Sequence, residues 1–558
     1  MPAAWHRSLS GPVLLAGSVV FMSGVLLGAT NTPDPTYNDF LYMQAGICLF
    51  QFLVILAVSR RAFVHFAEPS AVISAAFLIT VLLAYLSVSV WPNSGDEYGY
   101  TYLARSFLHG RLWNAPAPVP HIFDFDYVFE KNGMRVSQYA PGWPAVLAVF
   151  LAAGLEQLAN PVLTLLMGLL FAACLRRLAV PSVGIAPLTA LVMLAPFTLF
   201  NGASLFPHTL TACAVTGICW LQPRDEARPR WINKAAIGCI FSVLWTARDE
   251  VFAIVLLLYV VERIWQRRSG FVGDAIIMAL GALPVTAALL GYRWAITGNP
   301  LLPVLLWSNP QFNGGPPIID SKSLLSEALW HQRVWFGELC EYAGISLVGL
   351  YGLGLVRKLR QRTLRFFDVI PIGCIAFFFL FFPDNGPGGH QFGPRYWYFA
   401  WPAVGLTAGA ALRNTEGGDT GGWITVLRQR IHLPSFAALQ LVGFLGTTLV
   451  VAVLFRMYVD LRREVYLAQP PLLPAVVLLP VPRPMVVVPW QPRPYYASDH
   501  ELSRNGTDFN GPILYGYGGT PGAAEIACTL RGRTVYRWQG AGKLERVDCD
   551  ALAGAAAK

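Results

Sequence analysis

The sequence predicts an all-α polytopic transmembrane protein with a small C-terminal α/β domain. Of its 558 residues, 55% are hydrophobic and only 13% are charged. Continuous apolar runs of about 20 residues, the length that crosses a bilayer core, recur along most of the chain. Backbone polar groups in hydrocarbon must be satisfied within the spanning segment, so continuous runs favour helices over alternating barrel strands.

About thirteen runs are candidate spans. They cover residues 10–29, 41–59, 71–91, 159–175, 183–201, 205–221, 232–247, 249–265, 273–296, 341–356, 367–383, 396–412 and 435–457. A further run, 139–155, has two prolines near its start and is short for a crossing. If it lies in the plane of the interface, the basic clusters of the later loops all fall on one side, as the positive-inside bias requires.

This topology predicts a multi-pass protein of the plasma (inner) membrane with a cytoplasmic N-terminus. The opposite, extracytoplasmic side then holds residues 30–40, 92–158, 202–204, the turn at Arg248 and Asp249, 297–340, 384–395 and the C-terminal region from about 458. Three of these segments are long. Two are loops of the transmembrane domain 1–457, at 92–158 and 297–340, and the third is the C-terminal region 458–558.

The first extracytoplasmic loop combines two stretches that favour in-plane helices. Its amphipathic stretch "YGYTYLARSFLHGRLW" ends at Gly110 as a helix C-terminus does, and the 139–155 run follows. The 297–340 loop is rich in Gly, Pro, Asn and Ser, which is typical of a mobile loop over a site.

The C-terminal region changes from proline-rich to turn-rich, charged sequence. The segments "MVVVPW", "PILYGYG" and "TVYRWQ" predict short strands, and "GAAEIACTL" predicts a short helix. Cys528 and Cys549 both lie in this polar region and could form a disulfide in an oxidising compartment. Asn505, Gly506 and Thr507 form a glycosylation sequon, which is a weak signal.

The net charge of +9 does not indicate a nucleic-acid partner. The Arg and Lys residues gather in short loops between apolar runs, where they set membrane topology. We therefore predict contact with membrane lipids and no nucleic-acid binding.

Asp96 and Glu97 stand side by side after the third candidate span. They either mark the membrane interface or supply a general base at the edge of a low-dielectric cavity. Adjacent residues of a helix point about 100° apart, so one carboxylate faces the substrate and the other binds a cation or orients a loop. Asp96 and Glu97 are thus candidate catalytic residues, and Tyr98 is a candidate substrate-binding residue.

Arg248, Asp249 and Glu250 interrupt a long apolar stretch in "TARDEVF". Charged groups at membrane depth are costly unless they are paired or line an aqueous cavity. Two interpretations are open: an internal ion pair in a tight helical hairpin, or a substrate site in which Arg248 neutralises a phosphate.

Three further candidates lie in "FPDNGPGGHQFGPRYWYFAWP", namely Asp384, His390 and Arg395. Its aromatic residues suit an interfacial belt, but its glycines allow close approach to a ligand, and Arg395 could contact a phosphate at a helix N-terminus. His208, in "LFPHTL", is either structural or bonds a sugar hydroxyl or the leaving phosphate.

The sequence predicts no resident cofactor. His and carboxylate residues do not occur at metal-ligand spacings such as His-Glu-x-x-His, so a divalent cation would need ligands from distant loops.

Four motifs, "GDEYGYTYLARSFLHGRLW", "YAPGWPAVLAVF", "FPHTL" and "FGPRYW", resemble in their order the GT-C superfamily of integral membrane glycosyltransferases. The likeness covers about residues 71–412 and is nearest to the branch of bacterial protein mannosyltransferases and lipid A aminoarabinose transferases. It implies inverting transfer of a hexose or pentose from a polyprenyl-phosphate-sugar donor to a lipid, glycan or protein acceptor outside the cytoplasm. It also implies that Asp96 is the base, with Glu97 beside it, and that Arg248 and Arg395 bind phosphate.

Two other functions suit a chain of this kind. A transporter or flippase for a lipid-linked or anionic substrate would use buried arginines and carboxylates along its path, but it usually has inverted repeats, which the sequence lacks. An assembly or sensor protein would act through its C-terminal domain.

Overall fold

The computed structural model describes residues 68–89, 92, 94–119, 122–124, 127–266, 270–308, 339, 342–381, 394–412, 433–466, 474–479, 505–518, 522–540 and 543–556. The candidate spans 10–29 and 41–59, most of the loop 297–340, the strand predicted in "MVVVPW", and the candidate residues Asp384 and His390 lie outside the described residues.

Helices form most of the described chain. In chain order they are α1 (Pro69–Leu83), α2 (Gly95–Leu108), α3 (Gly142–Ala152), α4 (Ala159–Arg177), α5 (Ser182–Met193), α6 (Pro196–Ala203), α7 (His208–Ala227), α8 (Trp231–Ala247), α9 (Asp249–Trp265), α10 (Phe271–Thr297), α11 (Val304–Ser308), α12 (Ile345–Gln361), α13 (Phe366–Phe381), α14 (Trp401–Leu412), α15 (Leu433–Tyr466), α16 (Ala523–Cys528) and α17 (Cys549–Ala556). The strands are β1 (Val128–Lys131), β2 (Met134–Ser137), β3 (Ala475–Leu479), β4 (Ile513–Tyr517), β5 (Thr534–Gly540) and β6 (Lys543–Arg546).

Three helices of the described part are long and apolar enough to cross a membrane. They are Pro69–Val88, Glu156–Arg177 and Phe271–Thr297. Helices α5 and α6 would make a fourth span, bent by 54°, because Pro196 starts α6 and the residue before it is extended. Helix α8, Trp231–Ala247, is a shorter apolar helix, and the total of about thirteen spans stays a prediction.

The ambiguous 139–155 run forms the short helix α3. Pro144 lies in its first turn, where a missing N–H is tolerated. With 11 residues, α3 is roughly 16 Å long, about half of the hydrocarbon thickness. It is therefore too short to cross alone, which agrees with the topology chosen from the basic loops.

Helix α2 is the amphipathic helix predicted in the first loop. Ser94 caps it by accepting the backbone N–H of Glu97 at 3.3 Å. At its end, the amides of Gly110 and Arg111 return to α2 carbonyls, and Gly110 adopts a φ of +66°. Asp96 and Glu97 thus belong to the first turn of α2.

The chain forms two compact units, which are described separately. The first contains α1, α4 to α9, most of α10, α12 to α14 and most of α15. The second contains α2, α3, α11, α16, α17 and all six strands, so that the first loop and the C-terminal strands share one unit. The division into a transmembrane domain 1–457 and a separate domain 458–558 rests on topology and stays a prediction.

Glycines bring helices of the first unit close together. A Cβ at Gly238 of α8 would lie 1.9 Å from the carbonyl oxygen of Met278, and one at Gly281 of α10 would lie 2.1 Å from that of Ala235. Helices α8 and α10 therefore pack backbone to backbone, as small residues allow in membrane proteins.

In the second unit, β1 and β2 form a hairpin and the other strands form a sheet of order β4-β3-β5-β6. The hairpin turns at Asn132 and Gly133, both with positive φ, as an Asn-Gly turn requires. Strand β3 is parallel to β4 and β5, and β6 is antiparallel to β5. The predicted strands in "PILYGYG" and "TVYRWQ", the helix in "GAAEIACTL" and the Cys528–Cys549 disulfide are confirmed.

The sequon asparagine has a structural role. Asn505 is buried. Its side-chain Nδ2 donates to the carbonyl of Tyr515 at 2.8 Å, and its Oδ1 accepts from the backbone N–H of Tyr515 at 2.7 Å. An amide held in this way is not presented to a glycosylating enzyme.

Candidate active site

Asp96 accepts a hydrogen bond from a tyrosine in a later part of the first loop. It lies half-buried in the first turn of α2, where the positive end of the helix dipole favours a carboxylate. The hydroxyl of Tyr139 donates a hydrogen bond to its Oδ1. Burial and the neighbouring charge of Asp96 raise the pKa of Tyr139 well above its usual value, so that Tyr139 stays a neutral donor.

The ring of Tyr139 fits against α2 because residue 99 is glycine. A Cβ at Gly99 would lie 2.6 Å from the ring carbon Cε2 of Tyr139. The ring of Tyr100 lies 4.1 Å away and that of Tyr127 5.8 Å away, measured between centroids. Tyr127 adopts a φ of +66°, a strained conformation of the kind that clusters at functional sites.

Glu97 and Tyr98 occupy different surroundings from Asp96. The Glu97 side chain is fully buried, and that of Asp96 is half-buried, as expected for neighbours pointing about 100° apart. Tyr98 packs in a small hydrophobic cluster with Tyr102 and Val128. Asp96 is therefore the more accessible of the two carboxylates.

The second group of candidate residues surrounds Arg248. This residue has an extended backbone between α8 and α9 and caps both helices. Its guanidinium forms an ion pair with Glu250, lies 3.0 Å from Nδ1 of His208, and sits 4.5 Å from the ring centroid of Tyr396. Because a guanidinium only donates, the His208 nitrogen that it meets must be unprotonated.

Arg395 belongs to the same group. It begins a 3₁₀ turn, Arg395–Ala400, that leads into α14, and its side chain is buried. The guanidinium carbon lies 4.1 Å from the ring centroid of Phe206 and 5.6 Å from that of Tyr396. Both arginines therefore approach Tyr396, and Phe206 lies beside His208 with their ring centroids 5.6 Å apart.

Arg248, Glu250, His208 and Arg395, all predicted from sequence, are thus brought together, and we call these four residues with Tyr396 the arginine cluster. Asp249, which lies between Arg248 and Glu250 in the sequence, is the first residue of α9, and its side chain is half-buried. Two guanidinium groups can bind phosphate oxygens through paired N–H donors, and Glu250 offsets part of their charge.

Sequence reasoning missed two residues of these sites, Tyr139 and Tyr396. Both stand inside motifs that were singled out, "YAPGWP" and "FGPRYW", but a tyrosine near a membrane interface carries no local signal of its partner. Within the described ranges, no group of three or more His, Cys, Asp or Glu side chains is arranged to hold a metal ion.

Among solved structures, one match reaches a TM-score of 0.50, and others lie below it. ArnT from Cupriavidus metallidurans, in the apo state, matches with a TM-score of 0.50 at 14% identity, covering 88% of this chain and 94% of its own. The same protein bound to undecaprenyl phosphate matches with a TM-score of 0.48 at 14% identity, over 80% and 85% of the two chains. The arabinosyltransferase EmbB from Mycobacterium smegmatis matches with a TM-score of 0.40 at 15% identity, over 78% and 46%.

No family model matches the chain, and no curated protein does. At 14% identity, the likeness to ArnT bears on the fold. It confirms the resemblance that the motif order predicted: the chain has the fold of the GT-C glycosyltransferases.

Proposed function

We propose that this chain is a membrane glycosyltransferase that moves a sugar from a polyprenyl-phosphate donor to a lipid, glycan or protein acceptor. The observation that carries the proposal is the arginine cluster, in which Arg248 and Arg395 both approach Tyr396 at the ends of apolar helices. A lipid phosphate has its charged headgroup at the end of a hydrocarbon chain, which suits cations at such positions.

The arginine cluster would bind the donor phosphate. When the sugar leaves, the phosphate oxygen takes up the electron pair of the breaking bond, and fixed guanidinium groups stabilise that charge. His208 would add a hydrogen bond to the phosphate or to a sugar hydroxyl. Glu250 would keep Arg248 in place through their ion pair.

Asp96 would act as the general base. It would take the proton of the acceptor hydroxyl or amide while the acceptor atom attacks the anomeric carbon and the bond to phosphate breaks. The products are then the glycosylated acceptor and polyprenyl phosphate, with inversion at the anomeric carbon. The Asp96 side chain is more exposed than that of Glu97, which supports the assignment of Asp96 as the base.

The reaction would take place on the extracytoplasmic side. The Cys528–Cys549 disulfide supports this location for the C-terminal region, because disulfides persist in oxidising compartments. Reporter fusions test the topology: a fusion after residue 178 should report the cytoplasm, and a fusion after residue 558 should report the extracytoplasmic side. The opposite result at either position would overturn it.

The main alternative is a transporter or flippase. One observation favours it, the 54° bend between α5 and α6, because transporters use broken helices. The two functions differ in their product, since a transporter moves its substrate unchanged and a transferase leaves a covalently modified acceptor.

Mass spectrometry of surface glycans and lipids from a deletion strain distinguishes them. A transferase restores a sugar-bearing species when the full chain is supplied. Asp96→Asn should lower that species by about 10²-fold or more while retaining undecaprenyl phosphate binding in detergent. Asp124→Asn, which changes an exposed carboxylate of the same loop, is the control. Full activity of Asp96→Asn would show that Asp96 is not the base.

A further inference from the structure

Two residues of the first loop lie inside the hydrophobic core of the C-terminal domain, by which we mean β3 to β6 with α16 and α17. Ile122 and Phe123 are both 0% exposed. They pack in one cluster with residues of the sheet and of α16, including Val476, Leu478, Leu514, Ala527 and Val535. The domain's core is therefore completed by the first loop.

Main-chain and ring contacts fix the same junction. The backbone N–H of Tyr517, the last residue of β4, donates to the carbonyl of Ile122 at 2.6 Å. The rings of Phe123 and Phe509 lie 5.0 Å apart between centroids. The loop thus continues the hydrogen bonding of the sheet as well as its core.

Arg135 of β2 reaches the junction from the hairpin. Its side chain is 2% exposed, its Nη2 donates to the carbonyl of Phe123 at 2.5 Å, and its guanidinium carbon lies 4.8 Å from the ring centroid of Phe509. Burying a guanidinium costs free energy, and hydrogen bonds and contacts with aromatic rings offset part of that cost. Arg135 therefore couples β2 to the C-terminal domain.

Phe509 carries backbone strain at this contact. Its φ is +57°, in the left-handed region, which is unfavourable for a residue with a side chain. Strain of this kind persists only where the surroundings over-determine the conformation. Here the ring is held between Phe123 and the guanidinium of Arg135.

From Arg135, hydrogen bonds continue to α2. The backbone N–H of Asn114 donates to the carbonyl of Arg135 at 3.0 Å, and the N–H of Arg135 donates to the carbonyl of Asn114 at 2.8 Å. The Asn114 amide donates to the hydroxyl of Tyr102 at 3.0 Å and to Oγ of Ser106 at 2.6 Å, both on α2.

The same strand leads directly to Asp96. Two residues after β2 ends, Tyr139 donates its hydroxyl proton to the Asp96 carboxylate. The position of β2 therefore affects Asp96 along two routes, through α2 itself and through Tyr139.

We infer that the C-terminal domain is a positioning element for Asp96, acting through the contact between Phe509 and Arg135 on β2. This rests on the proposed role of Asp96 as the base. The domain then serves transfer without touching the substrate, which accounts for an extracytoplasmic domain that has no catalytic motif of its own.

Phe509→Gly removes the ring while glycine keeps the left-handed backbone without strain. In the full-length protein we expect about tenfold less sugar-bearing product in the deletion strain and unchanged binding of undecaprenyl phosphate. Amide hydrogen exchange should become faster in residues 95–108 and 128–139, because the hairpin and α2 lose their support. Phe509→Tyr, which keeps the ring face, should restore transfer.

Trp538→Ala is the matched control, because Trp538 packs on the opposite face of the same sheet, against a cluster formed by Ala475, Val477, Leu479 and Tyr536 of the C-terminal domain. It should leave transfer and exchange in residues 95–139 unchanged. Equal losses in Trp538→Ala and Phe509→Gly would overturn the inference, since destabilisation of the domain alone would then explain both.

A double variant tests the coupling itself. Arg135→Met should lower transfer as Phe509→Gly does, and the two together should lower it by less than the product of the single effects, because both remove the contact between Arg135 and Phe509. Additive losses, or wild-type exchange in Phe509→Gly, would contradict the inference. A fully active Asp96→Asn would instead remove the proposed base, while the exchange data would still report whether the C-terminal domain orders the loop.

Discussion

The hydroxyl of Tyr139 donates to the carboxylate of Asp96 from a position 43 residues later in the chain. The contact joins the first turn of α2 to the segment that leads into α3. It exists because Gly99 leaves space for the tyrosine ring on α2. The hydrogen bond fixes the orientation of one carboxylate oxygen, as the proposed role of Asp96 as a base requires.

Tyr139→Phe removes this hydrogen bond and keeps the ring. We expect transfer to fall about tenfold or more, because a hydrogen bond to a charged group contributes about 1.5–3 kcal/mol. Product formation in the complemented deletion strain measures the loss, and binding of undecaprenyl phosphate should not change.

Tyr292→Phe is the control for Tyr139→Phe. The Tyr292 hydroxyl is buried and meets no hydrogen-bond partner among the described residues, so its removal should leave transfer intact. Wild-type transfer by Tyr139→Phe would mean that the contact with Asp96 does not serve catalysis.

Arg248→Met and Arg395→Met should each weaken undecaprenyl phosphate binding by tenfold or more, because each removes a charge-assisted contact to the phosphate. Binding to the purified protein in detergent gives the measurement. Arg228→Met, which changes an exposed arginine after α7, should bind normally.

Glu250→Gln separates the two interpretations of the arginine cluster. If Arg248 serves only an internal ion pair, Glu250→Gln and Arg248→Met should lower the stability of the protein by similar amounts. Neither variant should then change the affinity for undecaprenyl phosphate. If Arg248 binds phosphate, Glu250→Gln should retain or strengthen binding, because it removes a competing negative charge.

Sequence patterns predicted the helices well where charge or proline interrupts an apolar run. The span predicted at 249–265 is α9, Asp249–Trp265, because Arg248 breaks the run and the next residues start a helix. Arg248 and Glu250 were identified as candidates for the same reason, since a charged residue in an apolar segment stands out, whereas Tyr396 of the same cluster was not.

The missed features depend on residues far apart in the chain. Strand β3 is buried along its whole length, and such a parallel strand lacks the alternation that identifies a strand in sequence. Tyr139 against Asp96, and Phe509 against Arg135, are tertiary contacts that no local periodicity encodes.

Asp368→Asn should destabilise the first compact unit by about 3–5 kcal/mol. The Asp368 carboxylate is fully buried and accepts from Nζ of Lys358 at 2.6 and 2.7 Å and from Oγ1 of Thr407 at 2.7 Å, so it joins α12, α13 and α14. When the Asp368 charge is removed, the buried ammonium of Lys358 loses its carboxylate partner. Thermal unfolding in detergent measures the effect.

Two further variants check the explanation. Lys358→Met combined with Asp368→Leu should be less destabilised than the sum of the single changes, because no charge is then left unpaired. Asp274→Asn breaks a partly exposed pair with Lys234 and should cost less than about 1 kcal/mol. Equal effects of Asp368→Asn and Asp274→Asn would contradict a special role for burial.

Cys528→Ser should loosen the C-terminal domain, because the disulfide to Cys549 joins α16 to α17 across a separation of 21 residues. Closing a loop of that size stabilises a fold by about 3 kcal/mol, so limited proteolysis should cut the variant's domain faster than the wild type's. Cys549→Ser should behave in the same way, and the double variant should lose no more than either single one. In wild-type cells, a maleimide should label neither cysteine until a reductant is added. Labelling without reductant would mean that the thiols are free, and would argue against an extracytoplasmic location for the domain.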